Sequence, residues 1–365
     1  MFNENHYVPI LKWRMGEYQA LFKLEPAVKD WVTPLLEIPT EGWNFETEAP
    51  AKTLDDHLAN FGDRLLAKWA ARSCFVDSPY IDGTACIANG QHHLSFVFER
   101  ARAVGCAATP VTGLQRPAQY QSAVAQISAI DQLGICLRLE LEDFDANLLQ
   151  NLNALMATLG STPQTVDLVI DMKDQGASAP SAQAHLLFGL LSQLNSQPWR
   201  TITIAATSFP AALGAATYRP HGRSPRREWL AYKELLQMLP AEARKPTFGD
   251  YATSHPATFE MDPRMLDPNA KIKYTLADEW IIFVGQQVRR FGRGQYQTLC
   301  RDIVAFLPSF FHGAPYSWGD SYIENCATGV EGTGGTSTWP SVATNHHVTV
   351  AVRGVANFHG TLASP

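Results

Sequence analysis

No two of the six cysteines stand in a CxxC pair, and no run of about eighteen apolar residues interrupts the 365-residue chain. Without CxxC spacing there is no thioredoxin-like redox motif and no zinc knuckle. Cys74, Cys86, Cys106, Cys136, Cys300 and Cys326 are expected to be reduced thiols of a cytoplasmic protein. Without a long apolar run no membrane-spanning helix is expected. The opening MFNENHYVPILKW lacks the charged head and apolar stretch of a signal peptide. HxH and HExxH are missing, so no metal site is expected. GxSxG and the Walker loop are missing too, which leaves no nucleophile elbow and no P-loop. No glycine-rich fingerprint follows the first strand, so no dinucleotide cofactor is expected, and no other cofactor is indicated. Positive charge is also short. Lys and Arg total 29 against 35 Asp and Glu, a net charge of −6. A whole-surface nucleic-acid binder is excluded, and polyanion binding would need a local patch.

What remains is a chain with a large core, 45% hydrophobic and 18% charged. Short apolar runs alternate with helical patterns. YVPILKW, VTPLLEIP, SCFVDSPYI, CAATPVTGL, ICLRLELEDF, VDLVID, TITIAATSFP and PTFGDY read as strands. Helical segments lie between them, among them TLDDHLANFGDRLLAKWA with Thr53 as its N-cap and RPAQYQSAVAQISAIDQLG closed by Gly134. Eight strand–helix alternations predict parallel pairing with right-handed crossovers. A closed TIM-barrel-like (β/α)8 barrel over residues 1–255 fits the count better than an open doubly wound sheet. Past 255 the rhythm stops. Residues 256–365 read as a small α+β lobe packed on the barrel. It has strands in KIKYTLADEWIIFVG, a helix in GQYQTLCRDIVAFLPSF, a loop in ATGVEGTGGTSTWPS and a strand opening NHHVTVAVRGVANF.

Barrel chemistry sits where strands end at the C-terminal face. Those positions carry Lys12 and Arg14, Glu37, Asp77, Thr112, Arg138 and Glu140, Asp171 and Lys173, Ser208, and Asp250 with Tyr251. The stretch VDLVIDMKDQG is the most pointed case, because a buried strand runs straight into an acid, a base and another acid. Residues two apart on a strand share a face, so Asp171 can join Lys173, and Arg138 can join Glu140. Charges crowded into a mouth of low dielectric shift one another's pKa, which acid–base chemistry requires. In a catalytic reading Asp171 or Glu140 is the general base, and Lys173 or Arg138 stabilises charge. The competing reading is a set of structural ion pairs where the apolar plug ends. A second constellation is YRPHGRSPRREW, which brings Arg219, His221, Arg223, Arg226 and Arg227 together ahead of a helix. Loops after strands seven and eight of such barrels bind phosphate, and Arg forks suit its oxygens. The alternative there is a solvated basic loop paired with Glu228 and Glu234. The pairs His92-His93 and His346-His347 point to different faces and make no two-ligand site.

The chain resembles the beta protein family of phage and bacteria. YVPILKWRMGEYQAL, VTPLLEIP, VDLVIDMKD, ATSFP, RREW and FGDY carry the likeness, together with KYTLADEWIIFVG, SWGDSYIENCA and Trp339 with NHHVTV. The family pattern places Ser208-Phe209-Pro210 at a strand end, Arg226 or Arg227 with Glu228 before helix seven, and Asp250-Tyr251 at strand eight. The resemblance implies a barrel of mobile elements, a role in anti-phage defence or phage–host conflict, and a nuclease-like neighbour or phage protein as partner. It supplies no reaction. The expectation is a phosphate-bearing ligand, a nucleotide or nucleic acid, held at the mouth by Lys12, Glu37, Asp77, Ser208, Arg223, Arg226, Arg227, Asp250 and Tyr251. The rival is a non-enzymatic module docking a viral or host protein through the C-terminal lobe, with Trp280, Trp318, Trp339 and FLPSFFHG as aromatic anchors.

Overall fold

The computed structural model describes residues 2–214, 220–257, 262, 265, 267–306 and 310–360. Arg219 and part of FLPSFFHG lie outside the described residues. Eight parallel strands close into a barrel: β1 Tyr7–Lys12, β2 Leu35–Glu37, β3 Cys74–Asp77, β4 Ala108–Thr112, β5 Ile135–Glu140, β6 Val166–Asp174, β7 Thr201–Thr207 and β8 Thr247–Asp250. Each pairs with its successor, and β8 returns to β1 with Tyr7 beside Phe248. The strands are buried on both faces, which is why they read as nearly continuous apolar runs.

Inside, Val8, Ile10, Leu35, Phe75, Val111, Cys136, Val169 and Ala205 fill the barrel as an apolar plug. Gly249 also faces inward, and a Cβ there would stand 2.6 Å from the Val8 carbonyl oxygen. Outside, the other parity packs against the helices. These are α1 Met15–Phe22, α2 Phe61–Trp69, α3 His93–Ala103, α4 Ala118–Asp131, α5 Leu148–Thr158, α6 Pro180–Leu194 and α7 Arg227–Met238. Thr53 does cap a helix, accepting the Asp56 N–H at 3.2 Å. That helix stops at Leu58, and α2 starts afresh at Phe61. Helix α4 ends two residues before Gly134, on Gln132 in the left-handed region.

The lobe departs from expectation in two places. First, His221–Pro225 is not a loop. It pairs antiparallel with Glu279–Gln287, whose other edge holds Asn269–Thr275, so the lobe's sheet borrows a strand from the barrel's own segment. Second, NHHVTVAVRGVANF is not a strand. It lies within α8, Thr338–Phe358. Its β-branched alternation is overridden because residues from Ser341 to Val352 are buried on every side, a setting in which packing outweighs propensity. Val348, Ala351, Val352 and Val355 of α8 join the barrel's outer core, beside α1 and β1, while Trp339 and Val342 join the lobe's core. Helix α8 is therefore the barrel's eighth helix, and the lobe is inserted between β8 and α8 rather than appended after 255.

Trp280 and Trp339 are buried, Trp339 inside the lobe's core, so neither offers a free anchor for a partner, while Trp318 packs against that core and is partly buried. No helix among the described residues is long and apolar enough to cross a membrane.

Candidate functional site

The layer above the apolar plug is set by strand parity. Two residues beyond Ile10 stands Lys12, beyond Leu35 Glu37, beyond Phe75 Asp77, beyond Cys136 Arg138 and beyond Val169 Asp171. Tyr251, just past β8, turns the same way and closes the ring. All six are buried. Arg138 is the hub. Its Nε and Nη2 donate to Asp171 Oδ2 at 2.9 and 2.7 Å, and Nη1 donates to Asp77 Oδ2 at 2.9 Å. Nη2 also lies 2.8 Å from Glu37 Oε1 and 3.0 Å from the Tyr251 hydroxyl, which itself donates to Asp171 at 2.6 Å. Burial works against the guanidinium's charge, but Tyr251 and the three carboxylates outweigh it and hold Arg138 firmly protonated. Burial likewise pushes Asp171 up, and Arg138, Lys173 and the Tyr251 hydroxyl reverse that, leaving its carboxyl below the usual range.

The rim is wetter. Lys173 Nζ lies 2.8 Å from Glu140 Oε1 and 3.2 Å from Asp171 Oδ2, and Lys173 and Glu140 are 38% and 47% exposed. The Lys173 backbone has φ +53°, inside a register shift between Asp171 and Asp174 in the pairing of β6 with β7. Its N–H caps Asp171 Oδ1 at 2.9 Å. The opening stretch of acid, base and acid is thus a bulged strand end that aims one lysine at two carboxylates. Arg116 reaches Asp77 at 2.6 Å, and Tyr80 donates to Glu37 at 2.8 Å. A cleft of about 230 Å³, lined by Gly113, Arg116, Arg138, Glu140 and Asp143, opens beside them.

Part of the mouth is roofed by the segment after β8. Lys12 Nζ donates to the His255 carbonyl at 2.7 Å, and His255 Nε2 lies 3.1 Å from Asp174 Oδ2. Under this roof, burial pushes the Glu17 carboxyl up to about 7, with a Ser254 hydroxyl bond at 3.0 Å opposing it.

Asp250 does not line the mouth. One residue before Tyr251, it faces outward, where it accepts from the Tyr7 hydroxyl at 2.5 Å and from His347 Nε2 at 2.9 Å. His347 Nδ1 lies 3.0 Å from the Thr275 hydroxyl. Burial would raise Asp250, but His347, Arg226 and Tyr7 hold it at about 2. Burial lowers His347 below its ordinary value, so it is a neutral ring donating one N–H and accepting one hydroxyl. Ser208 belongs to the same outer network, donating to Glu228 Oε2 at 2.6 Å. Arg226 is there as well, 3.6 Å from Asp250 and 3.8 Å from Glu228.

The expected phosphate loop does not converge. Arg223 is exposed on the lobe's edge strand and pairs with Glu279 at 2.6 Å, Arg226 is buried, and Arg227 contributes its backbone N–H to Ser208. Pairing into the sheet fixes alternate side chains on opposite faces, which scatters arginines that are close in sequence. Arg14 is exposed. Among the described residues, no group of His, Cys, Asp and Glu is arranged to hold a metal ion. Sequence reasoning missed Tyr80, Arg116 and Glu17. The first two stand in loops a few residues past their strands, where no periodicity marks which side chains return to the mouth.

A closed parallel barrel with an ionised layer above an apolar plug defines a (β/α)8 barrel protein with a polar mouth. Within that class the chain belongs to the Beta protein family, whose model matches residues 7–353. No curated protein matches the sequence. Solved structures similar to it include triosephosphate isomerase from Bartonella henselae, at 10% identity over 67% of this chain and 92% of that chain, with a TM-score of 0.36. A tryptophan synthase α-subunit variant from Pyrococcus furiosus is 11% identical over 69% of this chain and 89% of that one, with a TM-score of 0.40.

Proposed function

We propose that the protein acts in anti-phage defence or phage–host conflict, and that its barrel mouth takes a phosphate-bearing ligand, a nucleotide or the end of a nucleic acid. The observation that carries this reading is Lys173. A non-glycine residue in the left-handed region costs roughly 1–2 kcal/mol, and such strain gathers at ligand clamps. The strain here places an ammonium group between a buried acid, Asp171, and an exposed one, Glu140. An incoming phosphate would displace Glu140 and take Lys173 and Arg116 as its cations. Arg138 is already engaged by three carboxylates and serves as the framework that keeps Asp171 ionised. Any proton transfer then falls to Glu140 as base, with Lys173 stabilising charge, because a carboxylate held below its usual range is a weak base. The family's setting supports the biological role, with a nuclease-like or phage protein as the natural partner.

The test is a thermal-shift panel of AMP, ATP, pyrophosphate and short oligonucleotides against the wild type and Lys173→Ala. A ligand at about 100 times its Kd adds about 2.7 kcal/mol of stability, a shift of several degrees. The reading expects such a shift in the wild type and its loss in Lys173→Ala, together with loss of any phage-resistance phenotype. A panel with no shift, or a shift unchanged in the variant, ends it.

A further inference from the structure

We propose that a second ligand site lies outside the barrel, in the cleft between α7 and α8, and that it takes a planar aromatic molecule bearing one anionic group. The cleft encloses about 440 Å³, within the rough 300–1,000 Å³ range of small-molecule sites. It exists because α8 arrives from the lobe and meets α7 through an edge-to-face contact of Phe358 on Trp229, with ring centroids 6.0 Å apart. Beside that contact Gly354 faces Trp229, and a Cβ at this position would already stand 3.7 Å from the indole. The missing side chain leaves room for a flat ring against Trp229.

The charged wall is supplied by Arg353, with Arg226 behind it. Arg353 lies over Tyr316, its guanidinium carbon 4.0 Å from the ring centroid. It also hydrogen-bonds Tyr316, and its other N–H groups lie along the guanidinium edge. Among the described residues no carboxylate pairs with Arg353. Arg226 lines the same cleft from the barrel side. It is buried, Nη1 donates to the Ala277 carbonyl at 3.0 Å, and Nε and Nη2 face Glu228 and Asp250 rather than the cleft, so it adds positive charge behind the wall but no donor to it. Asp250 and Glu228, beyond hydrogen-bond distance, offset its charge only in part. At the outer edge Lys233 is neutralised by Asp278 at 2.7 Å. Aromatic walls, a guanidinium with no carboxylate partner and one missing side chain together define a pocket for a flat anion. The site is independent of the barrel mouth.

The test uses the full chain and 1-anilinonaphthalene-8-sulfonate, whose fluorescence rises in an apolar site. The expected result is saturable one-to-one binding by the folded protein, at least 10-fold weaker in Arg353→Ala and abolished in Gly354→Leu. Lys173→Ala, at the mouth, leaves it unchanged. Leucine is a better helix former than glycine, so Gly354→Leu is expected to keep its melting temperature. Arg353→Ala carries the test if that variant does not fold. Absence of binding, or equal binding by both variants, overturns the proposal. So does 1-naphthol competing as well as 1-naphthyl phosphate, since the anionic group would then contribute nothing.

Discussion

Two buried polar networks meet at the end of β8, and one residue separates them. Tyr251 turns into the barrel and meets Arg138, while Asp250 turns outward and meets His347. The inner network is ionic, with three carboxylates on one guanidinium and a half-exposed lysine at its edge. The outer one meets its carboxylates mainly with neutral donors, the Tyr7 hydroxyl, the His347 ring and the Ala252 N–H at 2.7 Å for Asp250 and the Ser208 hydroxyl for Glu228, and keeps Arg226 at a longer distance from both. The inner one opens to a cleft. The outer one is sealed, and it joins barrel to lobe: His347 holds Asp250 of β8, while its neighbour His346 holds Asp320 of the lobe at 2.8 Å. The contrast teaches that a carboxylate on a strand tip is not by itself evidence of a mouth. What its neighbours leave unsatisfied decides whether it can act on anything else.

The strongest way to break this comparison is Arg138→Met. Removing the hub leaves Glu37 buried without its ion-pair partner, and Asp77 and Asp171 with only the rim cations Arg116 and Lys173, which costs about 3–5 kcal/mol of stability. Urea unfolding measures it, and a loss under about 1 kcal/mol would mean that water already reaches the mouth layer. The outer network is sharpened by Asp250→Asn. The native carboxyl stays ionised to about pH 2, whereas the unfolded one takes its proton near 3.8. The stability it contributes is present above pH 4 and is lost as pH falls towards 2, about 2–3 kcal/mol in all. His347 acts in the same direction, because its native pKa lies below 6.5 and the unfolded ring gains its proton first as pH falls. Denaturant midpoints across pH 2–5 are expected to fall less steeply in the variant, and identical slopes would remove Asp250 from this role. The smallest effect belongs to Lys173→Gly. Glycine accepts the left-handed backbone, which offsets the lost pairing of a half-exposed lysine, so stability changes by less than about 1 kcal/mol. Ligand response at the mouth is lost all the same. A large destabilisation instead would make Lys173 structural, like the outer set.

Much of this architecture was readable in the chain, for physical reasons that also explain the failures. Strands buried on both faces leave unbroken apolar runs, so the alternation and the closed barrel followed from them. On β5 and β6 the two-residue period extends from plug to mouth, and Arg138, Glu140, Asp171 and Lys173 were found by extending it. Strand β8 gives no such guide. In TFGD the inward position next to the tip is Gly249, which has no side chain to mark the parity, so Asp250 was set in the wrong network. HVTVAV carries a strand's alternation, and only its burial on all sides makes it helical. The basic run His221–Arg227 reads as a loop until its partner strand, more than fifty residues later, is known.

The late arrival of α8 sets an order on synthesis. When Asp250 leaves the ribosome every barrel strand has been made, but the eighth helix has not, and the outer faces of β1 and α1 wait for Val348, Val352 and Val355. The whole inserted lobe must be translated before that seam is covered. A stop codon anywhere before Thr338 would therefore deprive the barrel of a stave as well as shorten the chain.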